Sequence, residues 1–284
     1  PFTPTGELDP AAAGRLAEDL VELGNDGLVV SGTTGESPTT TDAEKDELLR
    51  AVLAAVGDRA HVVAGVGSND TRHSIEAARR AEAAGAHALL VVSPYYNRPP
   101  QAGLLAHFRA VADATGLPNV IYDIPSRTGV AVDTETLLQL AEHPRIVAVK
   151  DAKGDLFASQ AVLAATDLAY YSGDDALNLP LLAVGAVGMV SVTGHLVADR
   201  LRVMLDAYEA GEVAVARELN AGLVPVTTGV MTRTQGVIAV KAALAEQRRA
   251  GGGALRMPLQ PMDEQGLRVL RVDLAAGGVP GFAA

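Results

Sequence analysis

Short apolar runs alternate with longer amphipathic stretches along most of the chain. Seven runs have the length and residue types of strands. They are GLVV (27–30), HVVAGVG (61–67), ALLVVS (88–93), NVIYDIP (119–125), IVAVK (146–150), AYYSG (169–173) and GMVSV (188–192). Their apolar residues are mostly continuous and do not alternate with polar ones. This indicates burial on both faces, and therefore a parallel sheet covered by helices.

The unbroken strand–helix alternation predicts an α/β fold of the (β/α)8 barrel type, with residues 1–210 as the catalytic barrel. A helix predicted at about 9–23 precedes the first of the seven runs, so the first barrel strand is expected upstream of Pro1. The sequence TDAE beginning at Thr41 is a capping box and predicts a helix start there. After residue 210, three helical patterns follow without strands between them, which predicts a small C-terminal helical region over 211–284.

Composition narrows the class of protein. A length of 284 residues suits one large α/β domain with a small appendage. The absence of cysteine excludes a disulfide framework and a thiolate nucleophile. A net charge of -11 argues against nucleic acid and anionic lipid as partners. No apolar run is long enough for a membrane span, and no signal-peptide pattern opens the chain, so a cytoplasmic enzyme is expected.

The residues that follow each apolar run are the candidates for chemistry, because barrel enzymes carry their active sites at the carboxyl ends of the strands. Lys150 ends the IVAVK run. One interpretation is that its charge, with Asp151 and Lys153, marks where the strand meets water. The other is that burial lowers the pKa of the amine, so that it can attack a ketone and form a Schiff base. Tyr122, at another strand end, has a phenol that can move protons to and from such an imine.

Three further strand-end segments have both a functional and a purely structural interpretation. SGTTGES (31–37) can bind a carboxylate through hydroxyls and N–H donors, or be a plain turn. PYYNRPP (94–100) contains adjacent tyrosines, which favour packing at a subunit or helix contact. Arg127 can grip a substrate carboxylate with two hydrogen bonds, or lie over apolar neighbours on the surface. The six histidines lack metal-ligand spacing, and no dinucleotide fingerprint is present.

Taken together, several segments occur in the order and spacing of the 4-hydroxy-tetrahydrodipicolinate synthases, formerly called dihydrodipicolinate synthases. These segments are GTTGES, PYYNRPP, YDIPSRTG, VKDAKGD, SGDDA and GMVSVT. The chain resembles this family, and its actinobacterial members most closely, from residue 1 to about residue 200. The resemblance implies a lysine Schiff base with pyruvate, addition of the enamine to L-aspartate 4-semialdehyde, and cyclisation in lysine and diaminopimelate biosynthesis. No cofactor or metal is implied.

The resemblance also implies roles for individual residues. It makes Lys150 the Schiff-base lysine and Tyr122 the proton carrier. It places Thr33 and Tyr96 in the proton relay. Thr34 is expected to contact the carboxylate of pyruvate, and Val190 to contact pyruvate through its backbone. Gly173 is a further expected substrate-binding residue, and Arg127 is expected to receive the carboxylate of the semialdehyde. In the family the tyrosine matched by Tyr96 reaches into the neighbouring subunit. A dimer is therefore expected as the minimal active unit, and a homotetramer built as a dimer of dimers as the assembly.

Two alternatives stay open. A pyruvate-dependent lyase of a sugar acid, similar to N-acetylneuraminate lyase, would share the lysine, the tyrosine and the barrel. Arg127 and the threonine pair of GTTGE argue against it, because those lyases generally lack this arginine and carry GSTGE. A non-catalytic barrel that binds a small acid is the second alternative, and the presence of every expected site residue argues against it.

Regulation by lysine is a separate expectation. Relatives that respond strongly bind lysine at the dimer interface with the help of two histidines and a glutamate. The matching positions here carry Asp42, Lys45 and His73, while Asn69 and Tyr95 fit the pattern. Losing the glutamate and gaining a cation predicts weak or absent inhibition by L-lysine.

Overall fold

The computed structural model describes residues 1–282. The chain divides into two compact units. One, here called the helical unit, contains residues 1–28, 33–60 and the residues from 191 on. The other, here called the sheet unit, contains residues 29–32 and 61–190.

Seven strands form one sheet in the order β1 to β7, with neighbours hydrogen-bonded. They are β1 (Gly27–Val30), β2 (His61–Gly65), β3 (Ala88–Val92), β4 (Asn119–Asp123), β5 (Ile146–Asp151), β6 (Ala169–Ser172) and β7 (Gly188–Met189). The pairs from β2–β3 to β6–β7 are parallel. All seven predicted strands are present, and their sequential order is that of a barrel, since a doubly wound sheet reverses direction. The predicted fold class is confirmed.

Twelve α-helices occur in residues 1–282. They are α1 (Pro10–Glu22), α2 (Asp42–Val56), α3 (Thr71–Ala84), α4 (Gln101–Asp113), α5 (Pro125–Thr128), α6 (Thr134–Ala141), α7 (Leu156–Leu163), α8 (Asn178–Ala183), α9 (Gly194–Glu209), α10 (Val213–Thr227), α11 (Gly236–Glu246) and α12 (Glu264–Ala276). Aspartates start two of the crossover helices: Asp70 accepts a backbone N–H of α3, and Asp155 one of α7. None of the helices in this part of the chain is long and apolar enough to cross a membrane.

The two faces of the sheet carry different layers of the sheet unit. On one face Leu90, Tyr122 and Ile124 form a buried cluster with partly buried valines around it. Strand residues point alternately to opposite faces. The intervening residues, such as Ile121 and Val149, are also buried, as expected for strands covered on both sides.

The regular secondary structure of the helical unit is mainly helical, with the first residues of β1 and an isolated bridge between Phe2 and Leu8. The capping box at the start of α2 is confirmed: the Thr41 hydroxyl accepts the Glu44 N–H at 3.3 Å, and the Thr41 N–H donates to the Glu44 carboxylate at 2.8 Å. Beyond β7 the described residues contain helices and no further strand. The expected boundary between barrel and C-terminal region at residue 210 stays a prediction.

Candidate active site

Lys150 and Tyr122 are direct neighbours across two strands. The register of β4 and β5 pairs Tyr122 with Lys150, so both side chains leave the same face of the sheet at its carboxyl edge. The Lys150 amine lies 4.0 Å from the centroid of the Tyr122 ring. Tyr122 is buried and Lys150 is half-buried. The two residues expected to perform the central chemistry are therefore brought together.

Burial changes the acidity of both groups. It lowers the pKa of Lys150 from 10.5 to about 8, with Arg127 adding to the effect and Asp175 opposing it. A pKa of about 8 leaves roughly one amine in ten neutral at pH 7, against roughly one in 3,000 for an ordinary lysine. Burial also raises the pKa of Tyr122 to about 12, so its phenol stays protonated and can donate. The site thus holds a reactive amine beside a proton donor.

The other lysines of the chain have a different environment. Lys153 is ion-paired with Asp123 at 3.5 Å, and Lys45 lies 3.9 Å from Asp42. Lys241 is ion-paired with Glu36. A carboxylate partner favours the ammonium form, which cannot attack a carbonyl. Lys150 lies against the Tyr122 ring and burial lowers its pKa to about 8, so it stays the predicted nucleophile.

Gly173 gives the Lys150 side chain its room. It follows β6, and its N–H donates to the Asp151 carbonyl at 2.7 Å. A β-carbon at this position would lie 3.0 Å from both Cγ and Cε of Lys150. Val190, directly after β7, donates its N–H to the Ser172 carbonyl at 2.7 Å. Gly173 and Val190 therefore lie at the same edge of the sheet as the lysine.

Arg127 and Tyr96 belong to two segments that meet. Arg127 lies on the single turn of α5 and is exposed. Its charge lowers the pKa of both Lys150 and Tyr122, which places the guanidinium within electrostatic range of both. The Tyr96 N–H donates to the carbonyl of Thr128, the residue after Arg127, at 3.3 Å. Tyr96 has a left-handed φ of 72° and its side chain is 89% exposed. A left-handed tyrosine is strained, and such strain is concentrated at functional segments.

Thr33 and Thr34 lie in the turn directly after β1, within the helical unit. The Glu36 N–H closes this turn by donating to the Thr33 carbonyl at 3.1 Å. Both threonines are half-buried. Their participation in the chemistry of Lys150 stays a prediction.

Sequence reasoning missed a buried charged cluster on the opposite face of β4 and β5. Asp123 and Asp151 are 1% and 3% exposed. Lys153 pairs with Asp123, and the Ser159 hydroxyl donates to Asp151. The interpretation that these charges mark a strand meeting water is therefore wrong for Asp151 and Lys153. The available signal was the alternation of strand side chains, which points Asp123 and Asp151 away from Tyr122 and Lys150.

A protein-family model described as the dihydrodipicolinate synthetase family matches residues 1–276. The chain belongs to this family. It is 62% identical to 4-hydroxy-tetrahydrodipicolinate synthase 2 of Streptomyces coelicolor, over 98% of this chain and 93% of that protein. It is 64% identical to the 4-hydroxy-tetrahydrodipicolinate synthase of Acidothermus cellulolyticus, over 100% of this chain and 91% of that protein. The predicted resemblance is confirmed.

Solved structures of the dihydrodipicolinate synthetase family agree with this assignment. The dihydrodipicolinate synthase of Bacillus anthracis is 39% identical, with a TM-score of 0.93 over 99% of this chain and 95% of that one. The enzyme of Cyanidioschyzon merolae with lysine bound is 40% identical, with a TM-score of 0.94 over 98% of this chain and 95% of that one. Such similarity over nearly full length supports the (β/α)8 barrel independently of the strand pattern.

Proposed function

We propose that this chain condenses pyruvate with L-aspartate 4-semialdehyde to 4-hydroxy-tetrahydrodipicolinate, in the cytoplasm, as a step of lysine and diaminopimelate biosynthesis. The observation that carries the proposal is the amine of Lys150, with its lowered pKa, 4.0 Å from the ring centroid of Tyr122 at the carboxyl edge of a parallel sheet. Membership of the dihydrodipicolinate synthetase family supports the same reaction.

The proposed chemistry begins with attack of the neutral Lys150 amine on C2 of pyruvate. The carbinolamine loses water to give an imine, and loss of a proton from C3 converts the imine to an enamine. C3 then forms a bond to the aldehyde carbon of the semialdehyde, whose oxygen takes up a proton. The amino group of the semialdehyde attacks C2, closes the ring and releases the Lys150 amine. One water is released overall, and the protonated imine on Lys150 accepts the electron pair left by the C3 proton, so the proposal requires no cofactor.

The other site residues take their proposed roles from the resemblance to the family. Tyr122, protonated because burial raises its pKa, donates to the leaving hydroxyl of the carbinolamine and to the aldehyde oxygen. Thr33 and Tyr96 complete its proton relay. Thr34, Gly173 and Val190 hold pyruvate, while Arg127 binds the carboxylate of the semialdehyde through two hydrogen bonds. The exposure of Arg127 suits a residue that receives the second substrate after pyruvate is bound.

The proposed assembly is a homotetramer in which a dimer is the minimal active unit. Tyr96 supports a shared site, because an aromatic side chain that is 89% exposed in one chain is available to a neighbouring subunit. Its left-handed backbone also fixes the direction in which the side chain leaves the loop.

Trapping of the imine tests the first half of the proposal. Incubation with pyruvate followed by borohydride should attach one carboxyethyl group per chain, and fragmentation mass spectrometry should place it on Lys150. Lys150→Arg should give no label, because a guanidinium stays protonated. Lys45→Ala, which removes a lysine from α2, should be labelled like the wild type. A label on Lys153 or Lys241 would contradict the mechanism, and its absence would favour a non-catalytic binding protein.

The choice of second substrate tests the other half. Aspartate semialdehyde should be turned over and sugar acids should not. Arg127→Ala should still form the pyruvate imine but lose turnover of the semialdehyde, by roughly 1.5–3 kcal/mol for a hydrogen bond to a charged group. Cleavage of a sugar acid would favour the lyase alternative, and equal loss of both steps would remove Arg127 from its proposed role.

A further inference from the structure

The cluster behind the candidate site is built on the residues that directly follow Tyr122 and Lys150. Asp123 and Asp151 are register partners on β4 and β5, as Tyr122 and Lys150 are. Because side chains alternate along a strand, the two carboxylates lie on the face opposite the amine and the phenol. The Ser159 hydroxyl of α7 donates to Asp151, which confirms that this face is the one covered by helices.

Lys153 connects the two aspartates. Its backbone N–H donates to Asp151 Oδ1 at 2.8 Å, and its ammonium lies 3.5 Å from Asp123 Oδ2. The same ammonium donates to the carbonyl of Val132 at 3.2 Å. The N–H of Val132 in turn donates to Asp123 Oδ1 at 3.2 Å. Two strand ends and the segment between α5 and α6 are thereby tied to one buried ion pair.

This arrangement connects the backbone segments of Tyr122, Lys150 and Arg127 on the helix-covered face of the sheet. The Asp123 carbonyl accepts the Ala152 N–H at 2.9 Å, so the β4–β5 ladder continues past Tyr122 and Lys150. Val132 follows Arg127 by five residues, so fixing its peptide restrains the segment that carries the arginine. Separating a buried charge from its partner strongly destabilises the fold. The ion pair therefore opposes any relative displacement of these segments.

We propose that Asp123 and Lys153 are positioning residues, which hold Tyr122, Lys150 and the Arg127 segment in their working geometry from the helix side of the sheet. The inference rests on the proposed function of the same site. Both act through other residues, from the face of the sheet opposite the Lys150 amine. Misplacement of reacting groups by about 1 Å can cost on the order of 100-fold in rate, which gives a distant ion pair its influence.

Charged and titratable neighbours of the pair come from each element around it. Asp151 adds negative charge from β5, and Tyr170 lies behind it on β6 with its pKa raised by burial and by both aspartates. Burial raises the pKa of Asp123 to about 6 despite the opposing charge of Lys153. The charged form of the Asp123 carboxylate is therefore stabilised by Lys153. Replacing only one of the two residues leaves the other buried without its partner.

The variant that tests the proposal replaces both members at once. Asp123→Asn with Lys153→Met removes both members of the ion pair together, so neither is left buried without the other, and the asparagine oxygen can still accept the Val132 N–H. We expect this double variant to fold and to form one pyruvate imine per chain at saturating pyruvate. The imine still forms because the Lys150 amine is intact. The kcat should nevertheless fall at least roughly tenfold, and the KM for the semialdehyde should rise, because Tyr122, Lys150 and the Arg127 segment are held less precisely.

A matched control separates positioning from general stability. Val162→Ala shortens a fully buried side chain of α7 in the same unit, and should lower the midpoint of urea unfolding without changing kcat. A double variant with the kcat and KM of the wild type would overturn the proposal, as would a Val162→Ala variant that loses kcat to the same extent at matched stability. Failure of the wild type to form an imine would instead refute the proposed function, so the two failures are distinguishable.

Discussion

Glu36 and Lys241 form an ion pair in the interior of the helical unit, where they are 3% and 7% exposed. The second carboxylate oxygen of Glu36 accepts the backbone N–H of Arg256 at 3.0 Å. Burial lowers the pKa of Lys241, and the hydrogen bond and charge of Glu36 oppose this. Glu36 has a left-handed φ of 54°, and its N–H closes the turn that begins at Thr33. The ion pair therefore holds the strained end of the turn expected to serve the active site.

Removing one partner of this pair should destabilise the protein strongly. Lys241→Met leaves the Glu36 carboxylate buried and unpaired, and should lower the free energy of unfolding by roughly 3–5 kcal/mol. Urea unfolding followed by circular dichroism measures the loss. Arg268→Ala, which removes an exposed pair with Glu264 in α12, is the control and should cost no more than about 1 kcal/mol. Equal losses in the free energy of unfolding would show that the buried pair stabilises the protein no more than the exposed one.

The strands and the main catalytic candidates were predictable from the sequence because both depend on local pattern. Each continuous apolar run coincides with one strand to within a few residues, and Tyr122 and Lys150 lie one residue before the ends of β4 and β5. Boundaries were less accurate. The last run was predicted to extend through residue 192, but β7 ends at Met189. The Ser191 hydroxyl accepts the Gly194 N–H at 2.8 Å, so the chain is already turning into α9.

Features that depend on register between distant segments were not predictable. The pairing of Asp123 with Lys153 requires the alignment of β4 with β5 and the return of the chain past Val132. The contact between Gly173 and the Lys150 stem likewise joins two strands that are separated by a helix. A charged residue after an apolar run usually marks solvent, and only the fold shows that these charges are buried.

Gly173→Ala should reduce imine formation without unfolding the protein. The new β-carbon would lie 3.0 Å from Cγ and Cε of Lys150 and 3.1 Å from the Asp151 carbonyl oxygen, so the lysine stem must move. We expect imine formation to slow by about tenfold or more, because displacement of a reacting group is costly. Trapping rates with borohydride measure it. The control Gly14→Ala places its β-carbon 3.6 Å from the Ala55 side chain, an ordinary contact, and should leave the rate unchanged. If Gly173→Ala formed the imine at the wild-type rate, a glycine at position 173 would not be required for the placement of Lys150.

The rate of imine formation should rise with pH through about 8. Only the neutral Lys150 amine attacks pyruvate, and burial lowers its pKa from 10.5 to about 8, so the neutral fraction grows up to that pH and then levels off. Single-turnover trapping across a pH series, with pyruvate far below saturation, measures this profile. Arg127→Ala should move the profile to higher pH, because the guanidinium is one of the groups that lower the pKa of Lys150. A rate that falls as the pH rises, or a shift of the variant to lower pH, would contradict this assignment.

Tyr96 should act across a subunit interface. Tyr96→Phe should keep the fold and lower the rate, because the ring is 89% exposed and only the hydroxyl is lost. Mixing Tyr96→Phe with Lys150→Ala should restore part of the activity, since a hybrid dimer then contains one site with both intact residues. Tyr95→Phe mixed with Lys150→Ala is the control and should show only the activity expected from dilution of the Tyr95→Phe sites. No recovery despite demonstrated subunit exchange would argue against a shared site.

Inhibition by L-lysine should be weak or absent. In α2 of the helical unit, Lys45 lies 3.9 Å from Asp42, a pair too long and too exposed to cancel the cation fully. In the sheet unit, His73 lies in the first turn of α3, at a position where the resemblance expects a glutamate, so the carboxylate is missing there. The ammonium of a lysine ligand would therefore meet repulsion where responsive relatives supply attraction.

Restoring the missing charge tests this explanation of lysine insensitivity directly. His73→Glu should increase the sensitivity of the enzyme to L-lysine, because a carboxylate attracts the ammonium of the ligand. His61→Glu, at an exposed position at the start of β2, adds the same charge elsewhere and should leave sensitivity unchanged. The assay holds both substrates near their KM and varies lysine. Inhibition of the wild type at micromolar lysine would show that the ligand is held by groups other than those at positions 42, 45 and 73. Insensitivity of His73→Glu would show instead that the pocket differs in geometry as well as in charge.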